Sequence, residues 1–497
     1  MNEDQYQAIC KACDELLKAT DSTVERVATP WLHVIRPHPI YLEKYKEIFA
    51  LKTAAWVNRW ARNLASALRH LGKAFTSGGQ LWFSVGELPQ RSDVLLVSHL
   101  VNDSFTRQEG DFYYGWAASE LAKEGLSTTI ALINHTEKAA ANLARSWCQA
   151  KVPRVIFAPV LNLTSEWSLY RRARTEARRL RSVAAKQASK LDRRVAERAS
   201  LEAASSGAVS AMRLGEQIKA LVARLQPRVI VITYEGHSWE RIVFAAARAV
   251  SPGIRCIGYL HASLFNLQHA VQRKLAGEYN PEIILTSGRV SQTRLQKNPD
   301  LNGVRIETLG SNRSFARKAA HAGRTDMKKK SACLVLPEGI VSECNLLFGF
   351  SLECARAMPS MEFIWRLHPY MNHAVLTREN PLFIDLPSNI TLSTDTLAED
   401  IASSHWVLYR GSTAIVQTAV SGVRPVYLHR AGEIPIDVLY EIAELHAKVI
   451  KPEDFKRLVM AAGDTDTEAE QVQDYCEQMF TPMDTGKLTA CIRDSIK

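Results

Sequence analysis

The sequence predicts an α/β fold of two Rossmann-like domains facing each other across a cleft, with a helical extension in front of them. Three observations predict it. Short β-branched, apolar runs alternate with amphipathic helical stretches about every 30 residues, the repeat of parallel strands joined by right-handed crossovers. The strongest run, Val229 to Thr233, ends in the turn Tyr234-Glu235-Gly236-His237 just before a helix that starts at Ser238. That places polar side chains at the carboxyl edge of a parallel sheet, where open α/β folds bind ligands. A stretch rich in charge and small residues, 312–331 (NRSFARKAAHAGRTDMKKKS), separates two such series, and a chain of 497 residues has room for two or three cores.

Residues 1–90 read as the helical extension, with segments near 4–19, 41–50 and 52–75; Pro30, Pro37 and Pro39 break the first from the second. Leu51, Ala54, Trp56, Trp60, Leu64 and Leu68 recur at helical spacing and read as core or as a partner contact. The first domain, 91–325, takes strands at 93–98, 128–133, 155–158, 229–233, 254–259 and 282–287, with a helix at 112–123 and another after the second strand. A basic helical insert at 164–225 interrupts this series. The second domain, 326–497, takes strands at 332–336, 361–367, 390–392, 406–409 and 425–427 and a helix at 341–358. Tail helices near 436–447, 453–462 and 467–480 are placed to pack back across the linker.

Hydrophobic content of 46% and charge of 23% are those of an ordinary globular protein. No apolar run approaches the roughly 18 residues of a membrane span, and the opening MNEDQYQAICKACDELL is acidic and amphipathic, unlike a secretion signal. A cytoplasmic location is expected. Nine cysteines, scattered and odd in number, fit reduced thiols. Cys10 and Cys13 form a lone pair with no second pair for zinc, so no metal is expected there.

The net charge of +10 is concentrated. Between Arg171 and Arg198, read as one helix, eleven Lys/Arg face only Glu176, Asp192 and Glu197. Such a run fits either a solvated face or an anionic partner, a membrane surface or an acceptor. Nucleic acid is not expected, since the run lacks interleaved aromatics for base stacking.

Four strand exits offer polar groups to the cleft. Glu235 is a candidate general base whose pKa desolvation should lift towards neutrality, or simply a carboxylate at a helix N-terminus. Glu338, in Pro337-Glu338-Gly339, is a second acid at the edge or a surface residue of the turn. Arg410-Gly411-Ser412-Thr413-Ala414 opens a helix and reads as an anion site or as an ordinary cap; it lacks the spacing of a Walker loop. His368, held by the following Pro369, is suited to meet a leaving phosphate. Arg366, two residues earlier, is a second cation for the same face. Asn102, His237 and His261, also at strand exits, either position substrate hydroxyls or are structural.

As a set, the Glu235-Gly236 turn within TYEGxxWE and the His368-Pro369 pair resemble the bacterial sialyltransferases and Kdo transferases of GT-B fold, and the surface-carbohydrate biosynthesis proteins related to them. The resemblance covers roughly residues 90–430. It implies a GT-B-like fold with an acceptor-side first domain and a nucleotide-sugar-binding second domain. It also implies that Glu235 is the catalytic base, with Gly236 completing the motif. His368 and Pro369, with Ser412 and Thr413, would contact the phosphate of a CMP-activated sugar. Apart from the resemblance, Gly339, Arg366, Arg410 and Gly411 at the same strand exits are candidates to line the donor side. Glu338 falls where retaining members carry a nucleophile, so a double displacement and a single inverting step both stay open. Tyr234 departs from the motif, which usually has a second acid there.

The expected function is therefore glycosyl transfer from a CMP-linked ulosonic acid, Kdo or a sialic-acid relative, onto a bacterial surface polysaccharide or lipid-linked glycan. No cofactor or metal is expected, the nucleotide sugar being a substrate. The basic stretch would hold the protein peripherally at the anionic inner membrane. The alternatives are a UDP- or GDP-sugar or CDP-polyol transferase of the same fold, and a non-catalytic glycan- or nucleotide-binding scaffold.

Overall fold

The computed structural model describes residues 1–49, 53–147, 150–312, 332–369, 371–461 and 466–496. The linker at 313–331, Leu51 and Cys148 lie outside the described residues, as do the side chains of Ala54 and Trp56. Two α/β sheets of Rossmann type organise the rest, the GT-B-like architecture. The first comprises β1 (Trp82–Val85), β2 (Val94–Leu100), β3 (Thr128–Asn134), β4 (Arg154–Phe157), β5 (Val229–Thr233), β6 (Arg255–Leu260), β7 (Ile283–Thr286) and β8 (Arg305–Thr308). Their order is β1-β4-β3-β2-β5-β6-β7-β8, with only β1 antiparallel to its neighbour among the described strands. The second comprises β9 (Cys333–Leu336), β10 (Phe363–Trp365), β11 (Ile390–Leu392), β12 (Trp406–Tyr409), β13 (Arg424–Leu428) and β14 (Ala447–Val449), parallel in the order β11-β10-β9-β12-β13-β14.

These orders fix where a ligand can sit. From β2 the chain runs outward through β3 and β4, then returns to place β5 on the other side of β2. The first sheet therefore switches direction between β2 and β5, and the second between β9 and β12. Crevices at the carboxyl ends of α/β sheets open at such switch points. β5 is buried along its whole length because helices cover both faces. Its alternation divides it between two cores: Ile230 and Ile232 pack with Ile218, Leu221 and Phe244, and Val229 and Val231 with Leu121 and Ile492.

Several expectations need correction. The first 90 residues are not helical throughout: β1 lies among them, a short edge strand without the apolar run that marks a central one. β8 and β14 were equally illegible, carrying Arg305 and Glu307 or Lys448 at the sheet edge. The helix expected from 112 starts at Ala117, because Asp111 accepts the backbone N–H groups of Tyr113 and Tyr114 at 2.8 and 2.9 Å and folds a turn there. The helix expected at 436–447 is a short 3-10 turn, Tyr440–Ile442, followed by β14. Asp437 there binds the Leu439 N–H and the Tyr409 hydroxyl instead of entering a helix.

The tail does cross back to the first sheet. Ser311 N–H donates to Thr481 O and Asp484 N–H to Leu309 O, both at 2.8 Å. A last helix, Thr485–Ile496, then buries Leu488, Cys491 and Ile492 in the first domain's core.

The basic stretch is two helices, Leu163–Lys186 and Lys190–Ala203, followed by a third, Ser206–Leu225. The break falls at Gln187–Ser189, where the Ser189 hydroxyl caps the next helix. These helices share one core with the N-terminal extension, Tyr6, Ile9 and Leu32 packing with Leu169, Ala173 and Ala199. Not all the cations face solvent. Arg198 is buried against Glu202 at 2.9 Å, and the extension's buried Arg26 reaches Glu176 at 2.7 Å.

Candidate active site

The turn after β5 is built by a carboxylate that the motif reading did not single out. Glu240, in the first turn of the helix Ser238–Val250, accepts the backbone N–H groups of Glu235, Gly236 and His237 at 3.0, 2.7 and 2.8 Å. Tyr234 is buried beneath this turn, packed on Gly258, so the position where the motif usually has a second acid belongs to the core. Gly236 has φ +88°, and a Cβ on it would stand 2.3 Å from the backbone carbon of Ala270. Only glycine allows that approach.

The electrostatics reverse one expectation. Burial does push the Glu235 carboxyl up, but the bond from His237 and the charges of His261, His237 and Arg36 outweigh it and hold the group down at about 2. The carboxyl in the neutral range is Glu240: burial pushes it up to about 7 against the pull of His237 and the backbone N–H groups. His237 Nε2 lies 3.4 Å from Glu235 Oε2. Burial lowers the His237 imidazole, but that bond and the charges of Glu240 and Glu235 leave its pKa raised. Glu235 is therefore an ionised carboxylate oriented against an imidazole.

The second half of the site is reached through the N-terminal extension. Residues 33–38 form a strap across the first domain: Val34 O and Ile35 O accept the N–H groups of Ala270 and His269 at 3.0 and 2.9 Å. His33 is buried, with Nε2 2.7 Å from Val27 O and Nδ1 2.9 Å from Arg273 Nη2. Donating from Nε2 and accepting at Nδ1, it is neutral, as its burial requires. Beyond it, His38 Nδ1 accepts the Ile40 N–H at 3.3 Å, so Nε2 carries the proton donated to Glu338 Oε1 at 3.0 Å. Arg36 stacks 4.4 Å over Phe265 and stands 3.9 Å from Glu338 Oε2. Sequence reasoning missed both residues. The available signal was Arg36-Pro37-His38-Pro39, polar side chains on a backbone stiffened by two prolines.

Glu338 leaves β9 and Gly411 leaves β12, on the two sides of the second switch point. A Cβ at Gly411 would lie 1.9 Å from Glu338 Oε1, and one at Gly339 would lie 2.6 Å from His368 Nδ1. The carboxylate and the imidazole thus lie against bare backbone. Burial raises Glu338, but the His38 bond and the charges of Arg36 and Arg410 bring its pKa below the usual value. His368 is lowered by burial, with Glu338 opposing. Ser412 is buried and Thr413 half-buried at the start of the helix Ala414–Val420. Because that helix has seven residues, its dipole is small, and the hydroxyls and His368 carry more of any anion affinity than expected.

Gly411→Ala is expected to push the Glu338 carboxylate off His38 while the melting temperature stays within a few degrees, since the crowded atom ends a flexible side chain. Transfer in a sugar-transfer assay should fall about 10–100-fold through misplacement. An unchanged rate would show that the position of Glu338 is immaterial.

Three candidates have protein partners of their own. The Arg366 guanidinium is bound through Nη1 by Asp400 at 2.6 Å and by the Asp395 carbonyl at 2.7 Å, so it braces the end of β10. Arg410 is buried between Glu343 at 3.1 Å and Glu433 at 2.8 Å. It fixes the loop behind Gly411 and acts on Glu338 only through its charge. Asn102 is exposed and caps the turn Asp103–Arg107, accepting the Ser104 N–H at 2.9 Å. His261 is half-buried, edge-on to Tyr113 at 4.4 Å, and contributes charge at Glu235. Pro369 is exposed at the rim beside His368.

On the other side of His237 a cavity of about 670 Å³ opens in the first domain, within the size range of small-molecule sites. His99, His135, His237, Trp239 and Lys138 line it. His99 Nε2 lies 3.0 Å from the Thr233 hydroxyl and Nδ1 2.8 Å from His135 Nε2. Burial and the neighbouring His135 push His99 down to about 3, so it stays neutral. The cavity and Glu235 thus share His237.

No family profile matches the chain, and no curated protein is similar to it in sequence. Solved structures are similar in overall frame. The glycotransferase of kitacinnamycin has a TM-score of 0.47 at 14% identity, over 82% of this chain and 100% of that one. The glycosyltransferase SnogD from Streptomyces nogalater has 0.46 at 14%, over 81% and 100%. MnaA of S. aureus with UDP has 0.46 at 8%, over 81% and 96%.

Proposed function

We propose that the chain is a glycosyltransferase that moves a sugar from a nucleotide donor to a glycan or lipid-linked acceptor, with a CMP-linked ulosonic acid as the donor. The observation that carries the reading is the pair of ionised carboxylates, Glu235 and Glu338, at the switch points of two sheets, with Arg36 of the strap acting on both. The donor class rests on the resemblance carried by Glu235-Gly236 and His368-Pro369.

In this reading the acceptor hydroxyl enters from the cavity beside Trp239 and gives its proton to His237, which Glu235 holds in place. A carboxylate held near 2 is itself a weak base, so the imidazole takes that task. The acceptor oxygen forms the new bond to the sugar carbon as the sugar–phosphate C–O bond breaks, and the electron pair leaves on the CMP phosphate. His368, Ser412 and Thr413 supply hydrogen bonds where that charge develops. Glu338 would repel the phosphate if left alone; the hydrogen bond from His38 and the charge of Arg36 offset it. Its engagement by His38 and Gly411 favours a single inverting displacement over a covalent intermediate on Glu338.

The test is ligand-induced stabilisation. CMP is expected to raise the melting temperature progressively with its concentration, equivalent to about 2.7 kcal/mol at a hundredfold excess over Kd. The shift should be lost in His368→Ala and in a Ser412→Ala, Thr413→Ala double variant. Stabilisation by UDP or GDP and not by CMP would replace the donor; no response to any nucleotide would remove the transferase reading. Transfer is expected to persist in EDTA, with hydrogen bonds from His368, Ser412 and Thr413 meeting the phosphate charge.

A further inference from the structure

The helix Thr53–Thr76 does not use its apolar line to join the body of the protein. It is held by Asn63, which donates to Leu201 O at 2.9 Å, by buried Ala67 and Ala74, and by His70 at 3.2 Å from the Tyr170 hydroxyl. The larger apolar side chains point away. Val57, Trp60, Leu68 and Phe75 are 67, 57, 62 and 78% exposed. With half-buried Leu64 they recur three, four or seven residues apart, one stripe along the helix. Trp60 and Leu68, expected as core or partner contact, are therefore free of the core.

Beside this stripe lies a row of cations. Arg174, Arg178 and Arg181 of the helix Leu163–Lys186 are exposed at positions i, i+4 and i+7. They face Trp60 and Leu64 across a groove of about 360 Å³. Thr53–Thr76 adds Arg62, Arg69 and Lys73, all exposed, and contains no Asp or Glu. From Val57 to Phe75 the stripe runs about 27 Å at 1.5 Å per residue, far longer than a small ligand.

We infer that this face docks on an anionic lipid bilayer, the helix lying in the interface plane. Trp60, Leu68 and Phe75 enter the headgroup–acyl boundary while Arg174, Arg178 and Arg181 meet lipid phosphates. The occupant follows from charge and shape together. A long apolar line without acidic residues, flanked by guanidinium groups, complements a surface that is apolar inside and anionic at its rim. Only part of the basic stretch takes part, since Arg198 is buried and Arg172 is bound to Glu25 and Glu216. The inference is independent of the transferase reading, because lipid binding is measured without turnover.

The test is co-sedimentation of the full chain with vesicles of phosphatidylcholine alone and of phosphatidylcholine with phosphatidylglycerol. Binding is expected only to the anionic vesicles. The triple variant Arg174→Gln, Arg178→Gln, Arg181→Gln should bind about 100-fold more weakly, and Trp60→Ser, Leu68→Ser, Phe75→Ser at least tenfold more weakly. Both should melt with the parent, since the substituted side chains are exposed. Lys190→Gln, Arg193→Gln, exposed cations outside the row, should bind like the parent. Equal loss in that control, unchanged binding in either triple variant, or equal binding to neutral vesicles would overturn the inference. So would a concentration-dependent dimer by light scattering that the Trp60, Leu68 and Phe75 substitutions abolish, which would make the face a contact between copies.

Discussion

Replacing Glu235 with Gln is expected to slow sugar transfer by about 10²–10⁴-fold, with the larger part of the loss in kcat. The fold should survive, because Glu240 and not Glu235 binds the three backbone N–H groups of the turn. Glu235 acts through His237, and that gives a second readout. Its carboxylate is one of the two groups that raise the His237 pKa. The proton-accepting form of His237 is the neutral one, so the rate should rise with pH through that raised value. In Glu235→Gln the imidazole loses its partner, its pKa falls, and the ascending limb should move to lower pH. A variant that transfers at the parent rate would remove Glu235 from the catalytic machinery, and absence of transfer in the parent itself would leave the protein a binding scaffold. A variant that is slow but keeps the parent's ascending limb would show that Glu235 does not work through His237.

Gly236→Ala is expected to destabilise the protein by about 2–5 kcal/mol, seen as a lowered melting temperature. Two costs add. A side chain at φ +88° is strained, and its Cβ would stand 2.3 Å from the carbon and 2.4 Å from the oxygen of Ala270. Ala270 has nowhere to go. Buried Arg241 donates to its oxygen at 2.9 Å, and its own N–H is held by Val34 of the strap at 3.0 Å. The strain is therefore expected to pass to residues 33–38, so that limited proteolysis cuts there in the variant and not in the parent. Gly253→Ala is the control, having nothing within 4 Å of the added carbon. Equal melting temperatures for the two variants would contradict the packing described around Ala270.

Much of the frame was legible because the signals are local. β5 alternates between two cores, and its apolar run and the polar turn that ends it lie within a dozen residues. The same locality exposed the exits at Glu338, His368 and Gly411, each directly after a buried strand. Edge strands escaped, since β1, β8 and β14 are short and carry charge or exposure where a central strand carries valine and isoleucine. The tail's return to the first sheet was anticipated, but its last helix was not.

By itself the sequence determined the two series of strands, the turns that close them and the residue types offered at their ends, because strand alternation and turn chemistry act over a few neighbours. Only the tertiary structure decided what those ends meet. His38 binds a carboxylate 300 residues away, Arg366 and Arg410 turn to acidic partners of their own, and the histidines around Glu235 hold its pKa low where burial alone would have raised it. It also decided that Trp60 and Leu68 face outward. Charge, burial and exposure depend on neighbours brought together through space, and periodicity along the chain carries no record of them.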